Sequence, residues 1–89
     1  MNKPMLDPMI VGNTISHIRK QKGLSQEVMS GLADIGRTHL SAIERGERKP
    51  TLETLYRLAI ALDIKMSDIV KQMESRLEQE QTAHNMPKQ

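Results

Sequence analysis

The chain has 89 residues with a formal net charge of +2, and this length fits a single domain. The absence of cysteine excludes a disulfide framework and a thiolate zinc site, and no apolar run approaches the roughly 20 residues that a membrane-spanning helix needs. Tyr56 is the only aromatic residue, so the core must consist of Leu, Ile, Val, Met and Ala, a composition that favours helices over strands.

The first predicted helix begins at Asp7-Pro8, because Asp suits an N-cap and Pro suits the first helical turn. Apolar residues then recur at helical spacing through Ile15 and Ile18. Gly23 ends the helix after a basic last turn, as is typical of helix C-termini.

The second and third predicted helices are short and lie close together in the chain. Ser25 caps the second helix, and the third runs from about 37 to 45 and ends at Gly46. Residues 34–36 are too few for anything but a tight turn between the two helices. Ser30 and Gly31 supply the small side chains that close packing of such a pair requires.

The fourth predicted helix is capped by Thr51 and carries a continuous apolar stripe. Ser67 caps a fifth helix, on which one face carries Ile69, Val70, Met73 and Leu77. The pattern predicts a helical domain over residues 8–81, with flexible termini at 1–7 and 82–89.

Residues 24–46 carry the most informative pattern in the chain. Two short helices share a turn of about three residues, and each has an inward face that cannot be buried alone, which is the pattern of a helix-turn-helix. The outer face of the third helix carries side chains that suit a major groove, because most are short or form hydrogen bonds. The candidates for base contact are Arg37, Thr38, His39, Ser41 and Ala42.

Basic residues are concentrated in the same half of the chain. Between positions 19 and 49, seven lysines and arginines stand against four acidic residues. We expect this half to face DNA phosphates, because clustered positive charge is the electrostatic footprint of nucleic-acid binding.

At this point the sequence resembles the Cro/CI-type repressors, also called the XRE family. The matching segments are ISHIRKQKG at 15–23, LSQE at 24–27, the turn at Ile35, RTHLSAIERGERKP at 37–50 and TLETLYRLAIALDI at 51–64. The similarity covers about residues 10–70, most of the chain, in the family's order and spacing. The resemblance implies an all-α, five-helix, lambda-repressor-like DNA-binding domain.

The resemblance also implies roles for individual residues. Arg37, Thr38 and Ser41 would face the groove with His39 and Ala42 beside them, and the DNA backbone would be contacted by Ser25, Gln26, Arg45, Arg48 and Lys49. Arg19 and Glu44 occupy positions that form a structural salt bridge in such repressors. The chain departs from the family at Asp34, which stands where Gly is frequent, and at Gly36, which replaces a Ser or Thr cap.

The apolar stripe of the fifth helix has two alternative uses, since it can cover its own core or dock on a second copy. We expect Ile69, Val70, Met73 and Leu77 to form the interface of a twofold dimer. Such a dimer would read two half-sites about 34 Å apart.

The sequence therefore predicts a cytoplasmic, sequence-specific regulator of transcription that binds a palindromic operator as a homodimer, most simply as a repressor of its own gene. The alternatives are a restriction-modification controller protein, the antitoxin of a toxin–antitoxin pair, and a protein-interaction module on the same fold. We expect no enzyme activity, cofactor, metal or membrane association, because the chain has no Gly-rich phosphate loop and no ligand-spaced partner for His39.

Overall fold

A computed structural model of the protein describes the backbone of residues 4–84 and the side chains of residues 4–80. This part of the chain consists of helices without strands, which confirms the all-α prediction. In chain order the helices are α1 (Pro8–Gln21), α2 (Gln26–Ala33), α3 (Arg37–Glu44), α4 (Leu52–Leu62) and α5 (Met66–His84). Within residues 4–84, no helix is both long and apolar enough to cross a membrane.

Side-chain caps set the starts of three of these helices. The carboxylate of Asp7 accepts a hydrogen bond from the backbone N–H of Met9 at 2.9 Å. The hydroxyls of Ser25 and Thr51 accept from the third backbone N–H that follows, each at 3.1 Å. Each cap satisfies one of the N–H groups that a helix start leaves without a partner.

The expected cap at Ser67 is wrong, because α5 already begins at Met66. Asp63 adopts a left-handed conformation with φ 55° at the C-cap of α4, two residues before the carbonyl that starts α5. The carbonyl of Lys65 then accepts hydrogen bonds from the backbone N–H groups of Asp68 and Ile69, which places Ser67 inside the first turn.

The core lies where the inward faces of all five helices meet. Its buried members are Val11, Ile15, Ile18, Met29, Ala33, Leu40, Ile43, Leu55, Leu58, Ala59, Leu62, Ile69 and Met73. Every one is aliphatic or Met, as the composition requires. Because α3 contributes Leu40 and Ile43 from one side only, its opposite side remains at the surface.

Two of the four residues in the apolar stripe that was expected to form a dimer interface belong to the core of the single chain. Ile69 and Met73 are 0% and 5% exposed and pack in the core of the single chain, although Met73 also lines an apolar depression beside Val70 and Leu77. Val70 is 38% exposed and Leu77 is half-buried. The difference arises because α5 packs across α1 and α4 and uses part of its stripe to close the core.

The expected boundaries of the domain also differ slightly. Residues 82–84 continue α5 instead of leaving the helix at 81. Asp7 belongs to the folded part as the cap of α1, and the carbonyl of Leu6 accepts a hydrogen bond from Lys49 Nζ at 3.3 Å. The remainder of the expected flexible termini, residues 1–3 and 85–89, lies outside the described residues.

Candidate nucleic-acid interface

The turn between α2 and α3 decides how α3 is presented. Asp34 takes the left-handed conformation with φ 54° and ψ 47°, a conformation that Asp tolerates better than most residues. The backbone N–H of Ile35 donates to the carbonyl of Ser30 at 3.0 Å and closes the turn. Gly36 then stands at the N-cap of α3 without a side-chain cap hydrogen bond.

The outer face of α3 carries three polar residues in register. Arg37, Ser41 and Arg45 are spaced by four and therefore lie on one side of the helix axis, with Thr38 beside them. Together these four residues line a shallow, open cleft of about 240 Å³. Arginines at both ends and hydroxyls between them form a surface rich in hydrogen-bond donors.

The other two residues expected on this face are less available. His39 is half-buried beside the cleft. Ala42 is only 9% exposed although it is not a member of the core, so little of its surface is available for a base contact.

The start of α2 is joined to the end of α3 by a side-chain hydrogen bond. The amide Nε2 of Gln26 donates to Glu44 Oε1 at 3.0 Å, and its second N–H is a further donor. Ser25 caps the helix with its hydroxyl oxygen as acceptor. The first N–H groups of α2 complete a set of donors of the kind that bind anions.

A buried ion pair ties α1 to α3 beneath this surface. Arg19 Nε lies 2.7 Å from Glu44 Oε2, and the two side chains retain 11% and 6% of their exposed surface. Arg19 also donates to Glu44 Oε1 at 2.9 Å and to the carbonyl of Leu24 at 2.8 Å. The expected pair is therefore present, and the link from Gln26 is a third member that the sequence did not reveal.

The environment of Glu44 favours its charged form. Burial acts to raise the pKa of this carboxyl, but hydrogen bonds from Arg19, Gln26 and Ser16, with the charge of Arg19, outweigh it and lower the pKa. The hydrogen bond that Arg19 donates to Glu44, opposed by burial and aided by the charge of Glu44, correspondingly raises the pKa of Arg19. The carboxylate and the guanidinium therefore both stay ionised at neutral pH.

The loop after α3 carries the remaining basic residues. Arg48 and Lys49 are exposed, and Lys49 reaches back to Leu6. Arg45 pairs with Glu47, with Nε 2.6 Å from Oε2 and Nη2 3.1 Å from Oε1. Among the residues that the structure describes, no group of three or more His, Cys, Asp or Glu side chains could hold a metal ion.

A short helix that presents arginines and hydroxyls outward, and is held by a buried network to the helix before it, defines a helix-turn-helix DNA-binding module. Residues 15–69 match the family described as Helix-turn-helix, HTH_3. The chain belongs to this family, also known as the XRE family, and is a DNA-binding regulator of transcription.

Three similar proteins show the range of this family. The uncharacterized HTH-type transcriptional regulator y4dJ of Sinorhizobium fredii is 39% identical over 61 residues, which are 68% of this chain and 79% of that protein. The immunity repressor protein of Bacillus phage phi105 is 39% identical over 77 residues, 86% of this chain but 53% of the repressor. The crystal structure of the restriction-modification controller protein C.AhdI from Aeromonas hydrophila superimposes with a TM-score of 0.69 at 34% identity, covering 73% of this chain and 98% of that one.

Proposed function

We propose that the protein is a cytoplasmic, sequence-specific regulator that binds a palindromic operator in duplex DNA as a homodimer and represses transcription, including that of its own gene. The observation that carries this proposal is the outer face of α3, where Arg37, Thr38 and Ser41 line one exposed cleft. An α-helix fits the major groove, where each base pair presents a distinct pattern of donors and acceptors.

Within this proposal, residues of α3 read bases. Arg37 stands at the start of the helix, where recognition helices contact base edges, and its guanidinium can donate two parallel hydrogen bonds to guanine. Thr38 and Ser41 follow on the same surface and can contact bases or nearby phosphates. His39, which is half-buried, follows Thr38 on the same helix and completes the set of candidate base contacts.

The DNA backbone is contacted from both sides of α3. Gln26 and Ser25 present the start of α2 to one phosphate, while Arg48 and Lys49 approach the backbone from the loop after α3. These contacts fix the orientation of the protein and carry no sequence information. They make binding strongly dependent on salt, because each one releases counterions from the DNA.

Homodimer formation is proposed through the exposed part of α5. Val70 and Leu77 line an apolar depression with Leu6 and Leu55, and this surface is open in the single chain. A twofold axis through it would place two α3 helices on two half-sites about one helical turn apart.

The test is a titration of the protein against three duplexes: its own upstream region, a duplex it selects from a randomised pool, and random DNA. We expect Arg37→Ala to weaken specific binding by about 1–3 kcal/mol and to change binding to random DNA little. Lys65→Ala, a charge loss at an exposed site between α4 and α5, is the control and should leave the preference intact. A native protein that binds all duplexes equally weakly would contradict the proposal.

A second candidate is a controller protein of a restriction-modification system. It is favoured by the similarity to C.AhdI, because nearly the whole of that chain aligns with this one. The two candidates share the same interface and differ in the genes they control. Adjacent restriction and methyltransferase genes, with promoter output that follows this protein, would select the controller.

A further inference from the structure

Arg45 is held differently from the other basic residues of the interface. It stands at the C-cap of α3, one turn after Ser41 on the outer face. Its Nε and Nη2 donate to the two carboxylate oxygens of Glu47 at 2.6 and 3.1 Å, and its Nη1 donates to the hydroxyl of Ser41. Two flanking residues thus fix one guanidinium over the helix face.

This arrangement leaves two N–H groups of Arg45 without a hydrogen-bond partner within the described part of the chain. A guanidinium has five N–H groups, and three of those on Arg45 are used by Glu47 and Ser41. One N–H remains on each terminal nitrogen. A pair of N–H groups on neighbouring nitrogens is what an arginine uses against the O6 and N7 acceptors of guanine.

The negative charge of Glu47 also favours a base contact of Arg45 over a phosphate contact. The hydrogen bond from Arg45, opposed by desolvation, lowers the pKa of Glu47, so its carboxylate is ionised at neutral pH. Arg45 therefore carries a neighbouring negative charge, which weakens its attraction to a phosphate. The separation of Arg37 and Arg45 by eight residues, a rise of about 12 Å, places the two guanidiniums at opposite ends of α3.

We propose that Arg45 reads a base edge and that Glu47 is a positioning residue, which holds Arg45 over Ser41 and away from the DNA backbone. This assigns Arg45 a different role from the phosphate contact that the sequence suggested. The inference deepens the proposed function and rests on it, because it concerns how the same α3 surface discriminates between sequences.

The test compares native protein with Glu47→Gln on the duplex selected from a randomised pool and on random DNA, at several salt concentrations. We expect the ratio of specific to random affinity to fall about tenfold, because a released guanidinium no longer meets its base. On random DNA the affinity should rise, and the salt slope should steepen by about 1, since Arg45 then contacts a phosphate.

Two further variants separate positioning from simple charge removal. Glu53→Gln removes an equivalent exposed charge from the first turn of α4 and should leave the ratio unchanged. In an Arg45→Gln background, Glu47→Gln should have no further effect on the ratio, because its partner is absent.

An equal rise of both affinities in Glu47→Gln would overturn the inference, since repulsion of DNA by the carboxylate alone would explain it. A persistent effect of Glu47→Gln in the Arg45→Gln background would overturn it too. If the native protein shows no preference among duplexes, the proposed function fails together with the inference. If the native protein prefers its selected duplex and Glu47→Gln has the same ratio of specific to random affinity, the inference is overturned and the proposed function stands.

Discussion

At the scale of single residues, the position of α3 depends on one buried carboxylate. Glu44 lies under the surface of α3 and accepts hydrogen bonds from Arg19 of α1 and Gln26 of α2. One buried acid thus joins α1, α2 and α3. Its charge is tolerated because every partner is in place.

We expect Glu44→Ala to destabilise the fold by about 3 kcal/mol, because it leaves the buried guanidinium of Arg19 without its partner. Urea denaturation followed by circular dichroism measures this loss. Glu47→Ala breaks an exposed pair of the same chemistry and should leave the denaturation midpoint unchanged. Equal losses in both variants would show that burial does not decide the strength of the pair.

The stability of the protein should also fall in acid through Glu44. Its pKa is lowered in the folded state, so the unfolded state takes up the proton first and the stabilisation is lost as pH falls. The loss of stability begins near pH 4.5, the ordinary pKa of this carboxyl, and continues as pH falls to its lower pKa in the folded state. Chemical denaturation between pH 6 and 3 should show a smaller loss in Glu44→Gln; a loss equal to that of the native protein would contradict this origin.

At the scale of helices, the position of α3 depends on how closely α1 approaches it. A Cβ atom added at Gly12 would lie 2.7 Å from the carbonyl oxygen of Glu44 and closer still to that of Ile43. Only glycine permits this distance between two helix backbones. In α2 the buried small residue is Ser30, whereas a Cβ at Gly31 would meet nothing within 4 Å.

The same substitution should therefore have opposite effects at these two glycines. Gly12→Ala should destabilise the protein by about 1–3 kcal/mol, because α1 and α3 must move apart. Gly31→Ala should stabilise it by about 0.5–1 kcal/mol, since the site is helical, open and lacks a positive φ. Thermal denaturation of both variants provides the comparison, and a shift of the same sign in both would refute the close approach at Gly12.

At the scale of the whole molecule, the exposed apolar surface bears on the association of two copies. The single chain exposes apolar side chains on α4 and α5, among them Leu52, Tyr56, Ile60 and Val70. Leu52, Tyr56 and Ile60 are spaced by four and therefore share one face of α4, whereas Val70 lines the apolar depression with Leu55 and Leu77. Because Ile69 and Met73 are buried, a second copy that binds α5 would contact mainly Val70 and its neighbours.

We expect Val70→Glu to convert the proposed homodimer to a monomer, because a carboxylate at this interface would be buried without a partner. Sedimentation equilibrium measures the mass. Val28→Glu, the same substitution on the exposed face of α2, should retain the mass of the native protein. A native protein that is monomeric at all concentrations, or a Val70→Glu variant that remains dimeric, would contradict this interface.

The sequence by itself determined the features that depend on local chemistry. Asp7, Ser25 and Thr51 cap their helices as predicted, because a cap needs only the few residues that follow it. Leu40 and Ile43 separate the buried side of α3 from its outer side by helical periodicity. The five-helix order and the family follow from the same local patterns.

The tertiary structure decided what depends on distant neighbours. The periodicity of α5 marks an apolar stripe, yet only the positions of α1 and α4 determine that Ile69 and Met73 belong to the core and Val70 to the surface. Gln26 joins the pair of Arg19 and Glu44 across 18 residues of sequence for the same reason. Periodicity reports the direction of a side chain around its own helix, whereas burial and partners depend on where the other helices lie.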